Sequence, residues 1–103
     1  MLIYRIEHPN GDGIWFNRNG NSRKPNSTIF IDKDITGWLS GCMSFGMLRR
    51  YFSKQEWNKY RGKGCVIAIY HAIEVKQYFD ASKNDVHLIF HPRTARRIKQ
   101  IQL

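Results

Sequence analysis

Apolar residues crowd one stretch of this chain, Cys65 to Val75, where Cys-Val-Ile-Ala-Ile-Tyr-His-Ala-Ile-Glu-Val forms the longest apolar run. Read as a strand, Cys65, Ile67, Ile69 and Ile73 fall on one face and Val66, Ala68, Tyr70 and Ala72 on the other. A strand apolar on both faces belongs in the middle of a sheet, covered above and below. A buried helix is the alternative, but three isoleucines and two valines among eleven residues favour a strand. Gly62 and Gly64 fence its start.

The rest of the chain arranges itself around that run. Leu2, Tyr4 and Ile6 alternate with Ile3, Arg5 and Glu7, which predicts a strand with one well-buried face. His8-Pro9 breaks it, and Asn10-Gly11-Asp12-Gly13 reads as a turn. A short apolar patch, Ile14-Trp15-Phe16, precedes the Asn-, Ser-, Gly- and Arg-rich residues 17–28, which predict a long mobile loop. Ile29-Phe30-Ile31 suggests a further short strand. Asp32 to Gly41 is ambiguous, with Trp38 and Leu39 docked on the core.

Helical spacing then takes over. Ser44 is placed to cap a helix whose Phe45, Leu48 and Phe52 share a face, widened by Met47 and Tyr51, while Arg49 and Arg50 point to water. Ser53-Lys54-Gln55-Glu56 has the form of a capping box opening a second, short helix that buries Trp57 and Tyr60. Arg61-Gly62-Lys63-Gly64 stops it. Beyond the central strand, Lys76 to Asp85 reads as a polar connection carrying Tyr78 and Phe79, and Val86 to Phe90 as another strand. The C-terminal segment allows two readings. Pro92 suits the first position of a helix that would gather Arg93, Arg96, Arg97 and Gln100 on one face. Alternatively Ile98, Ile101 and Leu103 belong to an edge strand. These elements predict an α+β fold: a mostly antiparallel sheet of about four strands with a helical pair, Ser44 to Tyr60, on one face.

Length and composition fit one domain over residues 1–103, at 42% hydrophobic and 14% aromatic too apolar for a disordered chain. Charge adds something the pattern does not. Seventeen Lys and Arg against eight Asp and Glu give a net charge of +9, which attracts polyanions unless it serves solubility alone. No apolar stretch approaches the roughly 18 residues of a membrane span, and no N-terminal hydrophobic signal segment is evident. The expected setting is therefore a reducing cytoplasm, with no membrane partner and Cys42 and Cys65 unbridged.

The basic residues are clustered. Between Arg49 and Lys63 lie six Lys or Arg and one acid, Glu56; between Arg93 and Lys99 lie four and no acid. The candidate surface for nucleic acid or an acidic partner is accordingly Arg93, Arg96, Arg97, Lys99, Arg49, Arg50, Lys59, Arg61 and Lys63. Tyr51, Trp57 and Tyr60 would stack on bases if exposed, though they fit the core better. None of the recognised nucleic-acid motifs is present. His87 and His91 stand four apart, a spacing that a strand and turn would not bring together on a metal, and His71 reads as a core histidine. No phosphate loop, nucleophile elbow or carboxylate pair occurs. No metal, cofactor or catalytic residue is expected.

Tyr4-Arg5-Ile6-Glu7 with its glycine turn, Gly41-Cys42-Met43-Ser44 leading to Leu48 and Tyr51-Phe52, and Leu88-Ile89-Phe90-His91-Pro92 with Ala95 resemble a group of small tailed-bacteriophage proteins. That resemblance covers most of the chain. It implies a non-enzymatic accessory factor that binds host machinery: nucleic acid or a host nucleoprotein complex, with inhibition of a defence system such as CRISPR as one form. A fainter similarity is to the ADP-ribosyltransferase fold, which implies an NAD-using enzyme with Arg5 on the first strand holding the cofactor. The late strand departs from that pattern, since Val86 to Phe90 contains no Glu and Asp85 falls outside it. The remaining alternative is a protein-binding inhibitor whose basic surface meets an acidic patch. Oligomeric state is not legible.

Overall fold

The computed structural model describes residues 1–11, 13, 37–81 and 84–103. Within them the elements run β1 (Leu2–Glu7), β2 (Leu39–Gly41), α1 (Phe45–Tyr51), α2 (Lys54–Gly62), β3 (Val66–Ala72), β4 (Val75–Asp80), β5 (Asp85–Phe90), a 3-10 turn (Pro92–Thr94) and β6 (Ala95–Gln102). The patch at 14–16, the loop at 17–28 and the strand at 29–31 expected from sequence lie outside the described residues.

The α+β class and its antiparallel pairing are as the pattern predicts. The described residues contain six strands where the pattern predicts about four, and these form two three-stranded sheets, β1-β3-β6 and β2-β5-β4, in place of a single sheet. β3 is central in the first, with Ile3 opposite Tyr70 on one side and His71 opposite Arg96 on the other. The sheets meet where Tyr4 and Cys42 exchange two backbone hydrogen bonds, each 2.8 Å.

Each face of β1-β3-β6 has its own apolar layer. Ile6, Ile67 and Ile69 pack with Leu48, Tyr51, Phe52 and Trp57 under the helices. Ile3 and Ala72 pack with Leu88 and Phe90 of the second sheet. The helix ends are set by local chemistry. Ser44 Oγ accepts from Met47 N–H at 3.1 Å. Ser53 N–H donates to Glu56 Oε1 at 2.9 Å while Ser53 Oγ accepts from Glu56 N–H at 3.1 Å, a closed capping box. At the other end of α2, Gly64 adopts φ +76, which lets Cys65 N–H reach the Tyr60 carbonyl and Gly64 N–H the Arg61 carbonyl.

Several boundaries differ from the sequence reading. The apolar run is not one strand to Val75. It stops at Ala72, turns through Ile73-Glu74, and enters the other sheet as β4. Ile73, expected inside, is 76% exposed at this corner. The corner is tied by His91 N–H to the Glu74 carbonyl and Glu74 N–H to Thr94 Oγ1, each 3.0 Å. The supposed connection Lys76 to Asp85 is mostly β4, the end strand of its sheet among the described residues, with Lys76, Gln77 and Phe79 exposed. Asp85 begins β5 instead of lying outside it. Phe45, expected on the buried arc of α1, is 42% exposed because that arc centres on Leu48 and Tyr51. His71, expected in the core, is exposed where helix cover ends. The C-terminal segment is a single 3-10 turn followed by an edge strand, so the long-helix reading is overturned.

Candidate functional site

Strand geometry divides the Arg93–Lys99 cluster. β6 alternates its side chains between two faces, with a register shift opposite Ile69 and Tyr70. Arg96 and Lys99 lie across from His71 and Ile69, on the helix side of the sheet; Arg97 lies across from Tyr70, on the side facing the second sheet. Arg93 precedes the strand and forms a bidentate pair with Glu74 at 3.0 and 3.2 Å. Arg97 Nε stands 3.5 Å from Glu7 Oε1, and Arg97 Nη2 donates to Gln100 Oε1 at 2.8 Å. One helical face carrying all of them does not exist. Of the four, Arg96 and Lys99 are exposed and meet no carboxylate among the described residues.

The helical pair supplies the other basic residues. Arg49 Cζ lies 5.8 Å from the Trp57 ring centre and Lys59 Nζ 5.9 Å from that of Tyr60, so each charge stands over an aromatic face while its residue remains exposed. Arg50 and Lys63 are exposed. Arg61 Nε donates to the Leu103 carbonyl at 3.2 Å, which joins the basic end of α2 to the end of β6. Tyr51 and Trp57 are 7% exposed and Tyr60 is half-buried, so these rings belong to the core and do not form a stacking platform.

A second cluster was not foreseen. Arg5 and Glu7, expected on the wetter face of β1, are buried because the second sheet covers them. Arg5 Nε lies 3.2 Å from Glu7 Oε2, and the same oxygen accepts the Tyr70 phenol at 2.5 Å. Burial pulls the Arg5 guanidinium below its ordinary value, opposed by the adjacent Glu7 carboxylate. Burial, with the hydrogen bond to Glu7 next, pushes the Tyr70 phenol up to about 12. Gly13 lies close beside it: a Cβ there would come within 2.3 Å of Arg5 Nη2, so any side chain at 13 would displace the guanidinium tip. The available sequence signal was Arg5-x-Glu7: opposite charges two apart share a strand face and can neutralise one another indoors.

Arg5 also lines a small cleft with Ser40, Tyr51 and His87, which has room for roughly one water molecule. His87 is 2% exposed and stacks edge-on to Tyr51 at 4.8 Å, whereas His91 lies against Trp38 at 5.2 Å; the two histidines serve different surroundings. Cys65 Sγ lies 3.4 Å from His8 Nδ1, but burial pushes the thiol up, away from the reactive thiolate. Cys42 and Cys65 form no disulfide. Among the described residues no helix is long and apolar enough to cross a membrane.

A small antiparallel α+β protein with a basic rim and a neutralised polar centre is the class these features define. Its family is a phage one: residues 1–103 match the family described as bacteriophage T4 Y00F protein, and the chain belongs to it. No curated protein and no solved structure matches the chain.

Proposed function

We propose that this phage-family protein is an accessory factor that binds nucleic acid, or the nucleic-acid part of a host nucleoprotein complex, through the rim formed by Arg49, Arg50, Lys59, Arg61 and Lys63 with Arg96 and Lys99. Blocking a bacterial defence complex of the CRISPR kind is the specific form this function would take. The observation that carries it is the unequal pairing of charge. Arg5, Arg93 and Arg97 are matched to Glu7 or Glu74, while Arg49, Lys59, Lys63, Arg96 and Lys99 meet no carboxylate among the described residues. Cations left in water beside one another are available to phosphates. The test is a titration of fluorescent single- and double-stranded oligonucleotides at several salt concentrations. Binding that weakens with salt supports the reading; no binding at low salt overturns it.

A second reading has an ADP-ribosyltransferase-like enzyme holding NAD with Arg5 of β1, but Arg5 is buried and the cleft it shares with Ser40, Tyr51 and His87 takes only about one water molecule. Against it, Arg5 is already neutralised by Glu7, and β5 carries no Glu. The expected result is no NAD binding. Saturable NAD hydrolysis that is lost in Arg5→Ala would reverse the order of the two readings.

A further inference from the structure

Among the described residues strand β6 ends the first sheet and pairs on one side only, with β3. Its backbone direction follows from its neighbours. Tyr4 gives both its backbone groups to Cys42, so they point away from β3, and the groups of Ile69 opposite must point to β6. Ala72 agrees, because its N–H turns the other way, to the Met1 carbonyl. Alternation along an antiparallel ladder then turns Arg96, Lys99 and Ile101 inward to β3, and leaves Arg97, Gln100 and Gln102 with outward backbone N–H and C=O groups. Residues 96–100 are all exposed, and no strand among the described residues pairs with this edge.

We propose that the outer edge of β6 receives an extended, acidic segment of a partner protein as an added antiparallel or parallel strand. Arg96, Arg97 and Lys99 flank the edge with no acid on the strand, so cross-strand neighbours of negative charge are the ones that fit. A second copy does not fit, because edge-to-edge pairing of two β6 strands would set these cations against their own kind. Ile98, 48% exposed at the register shift, offers an apolar anchor beside the charges. The shift and the cations also guard the edge against indiscriminate pairing, so selection for acidic strands and protection from aggregation have the same cause. This contact uses the backbone edge, which the proposed nucleic-acid rim does not need, but it shares Arg96 and Lys99 with that rim, so Gln100→Pro is the variant that separates the two readings.

The experiment uses the full chain and a short blocked synthetic peptide of alternating glutamate and valine, with the lysine–valine peptide as its counterpart. Amide hydrogen exchange is followed by NMR. The glutamate peptide should slow exchange at Arg97, Gln100 and Gln102, and the lysine peptide should not. Gln100→Pro removes an outward N–H that no ladder bond uses, and should abolish this protection while leaving oligonucleotide binding unchanged. Arg96→Gln with Lys99→Gln, which leaves the backbone edge intact, should weaken peptide binding by about fivefold, as loss of two cross-strand ion pairs implies. No protection in the wild type at millimolar peptide, protection confined to β4, or equal binding of the lysine peptide overturns the proposal. Concentration-dependent protection without peptide overturns it in favour of self-pairing.

Discussion

Glu7 takes the phenol of Tyr70 and the guanidinium of Arg5 on a single carboxylate oxygen, at 2.5 and 3.2 Å, in a place where Glu7 itself is 1% exposed. A carboxylate so placed is tolerable only because a cation and a donor meet it. Removing its charge leaves the Arg5 guanidinium buried and uncompensated.

Glu7→Gln should therefore destabilise the fold by about 3–5 kcal/mol, the usual consequence of breaking a buried pair from one side. Replacing both partners, Arg5→Met with Glu7→Leu, should recover much of that loss, because neither residue then carries an unpaired charge. Urea denaturation of the single and double variants measures both. Equal damage in the double variant would show that the polar contacts are needed as such.

The Tyr70 phenol gives a pH signature. Its folded value is raised to about 12 from the ordinary 10, so the folded state holds this proton more tightly than the unfolded chain. Between roughly pH 10 and 12 the native protein then binds more protons, and stability falls as pH rises; below pH 10 the contribution is fully present. Solvent screening of this half-buried ring keeps the loss below about 2 kcal/mol. Spectrophotometric titration should show one phenol ionising late, and Tyr70→Phe should remove that component.

Within the apolar run, two isoleucines six residues apart should behave in opposite ways. Ile67 is 1% exposed and Ile73 76%. Ile67→Ala should cost about 2–5 kcal/mol through the cavity it leaves. Ile67→Asp should prevent folding outright, by burying a charge with no partner. Ile73→Ser should change stability by less than about 0.5 kcal/mol. Thermal melts of the three variants decide whether the strand ends at Ala72.

What the sequence disclosed was local. Ser44, Ser53-Glu56 and Gly64 act through neighbours within a few residues, so their caps were readable from spacing. β1, β3 and β5 were legible because burial left apolar runs. β4 was not, since an edge strand with Lys76, Gln77 and an exposed Phe79 has the composition of a connection. The burial of Arg5 and Glu7 depends on a second sheet arriving from residues far along the chain, and periodicity in β1 alone carries no record of it. The Arg93–Lys99 cluster was visible as composition, but its division between two faces waits on choosing a strand over a helix.

That division makes the last prediction sharper than the count of charges. Arg93 is held by Glu74 and Arg97 by Glu7, whereas Arg96 and Lys99 stand on the helix side without a carboxylate among the described residues. Each phosphate neutralised contributes roughly 0.7–0.9 to the slope of log affinity against log salt. Arg96→Gln with Lys99→Gln should therefore weaken oligonucleotide binding for all sequences alike and make the slope shallower by roughly 1.5, with stability nearly unchanged, as exposed charges contribute little to folding. Arg93→Gln should leave the slope as it is. Arg97→Gln should act mainly on stability, through the carboxylate it leaves at Glu7. Equal changes of slope for Arg93→Gln and for the Arg96 and Lys99 pair would mean that the whole C-terminal cluster meets phosphate, and that the ion pair with Glu74 opens when nucleic acid binds.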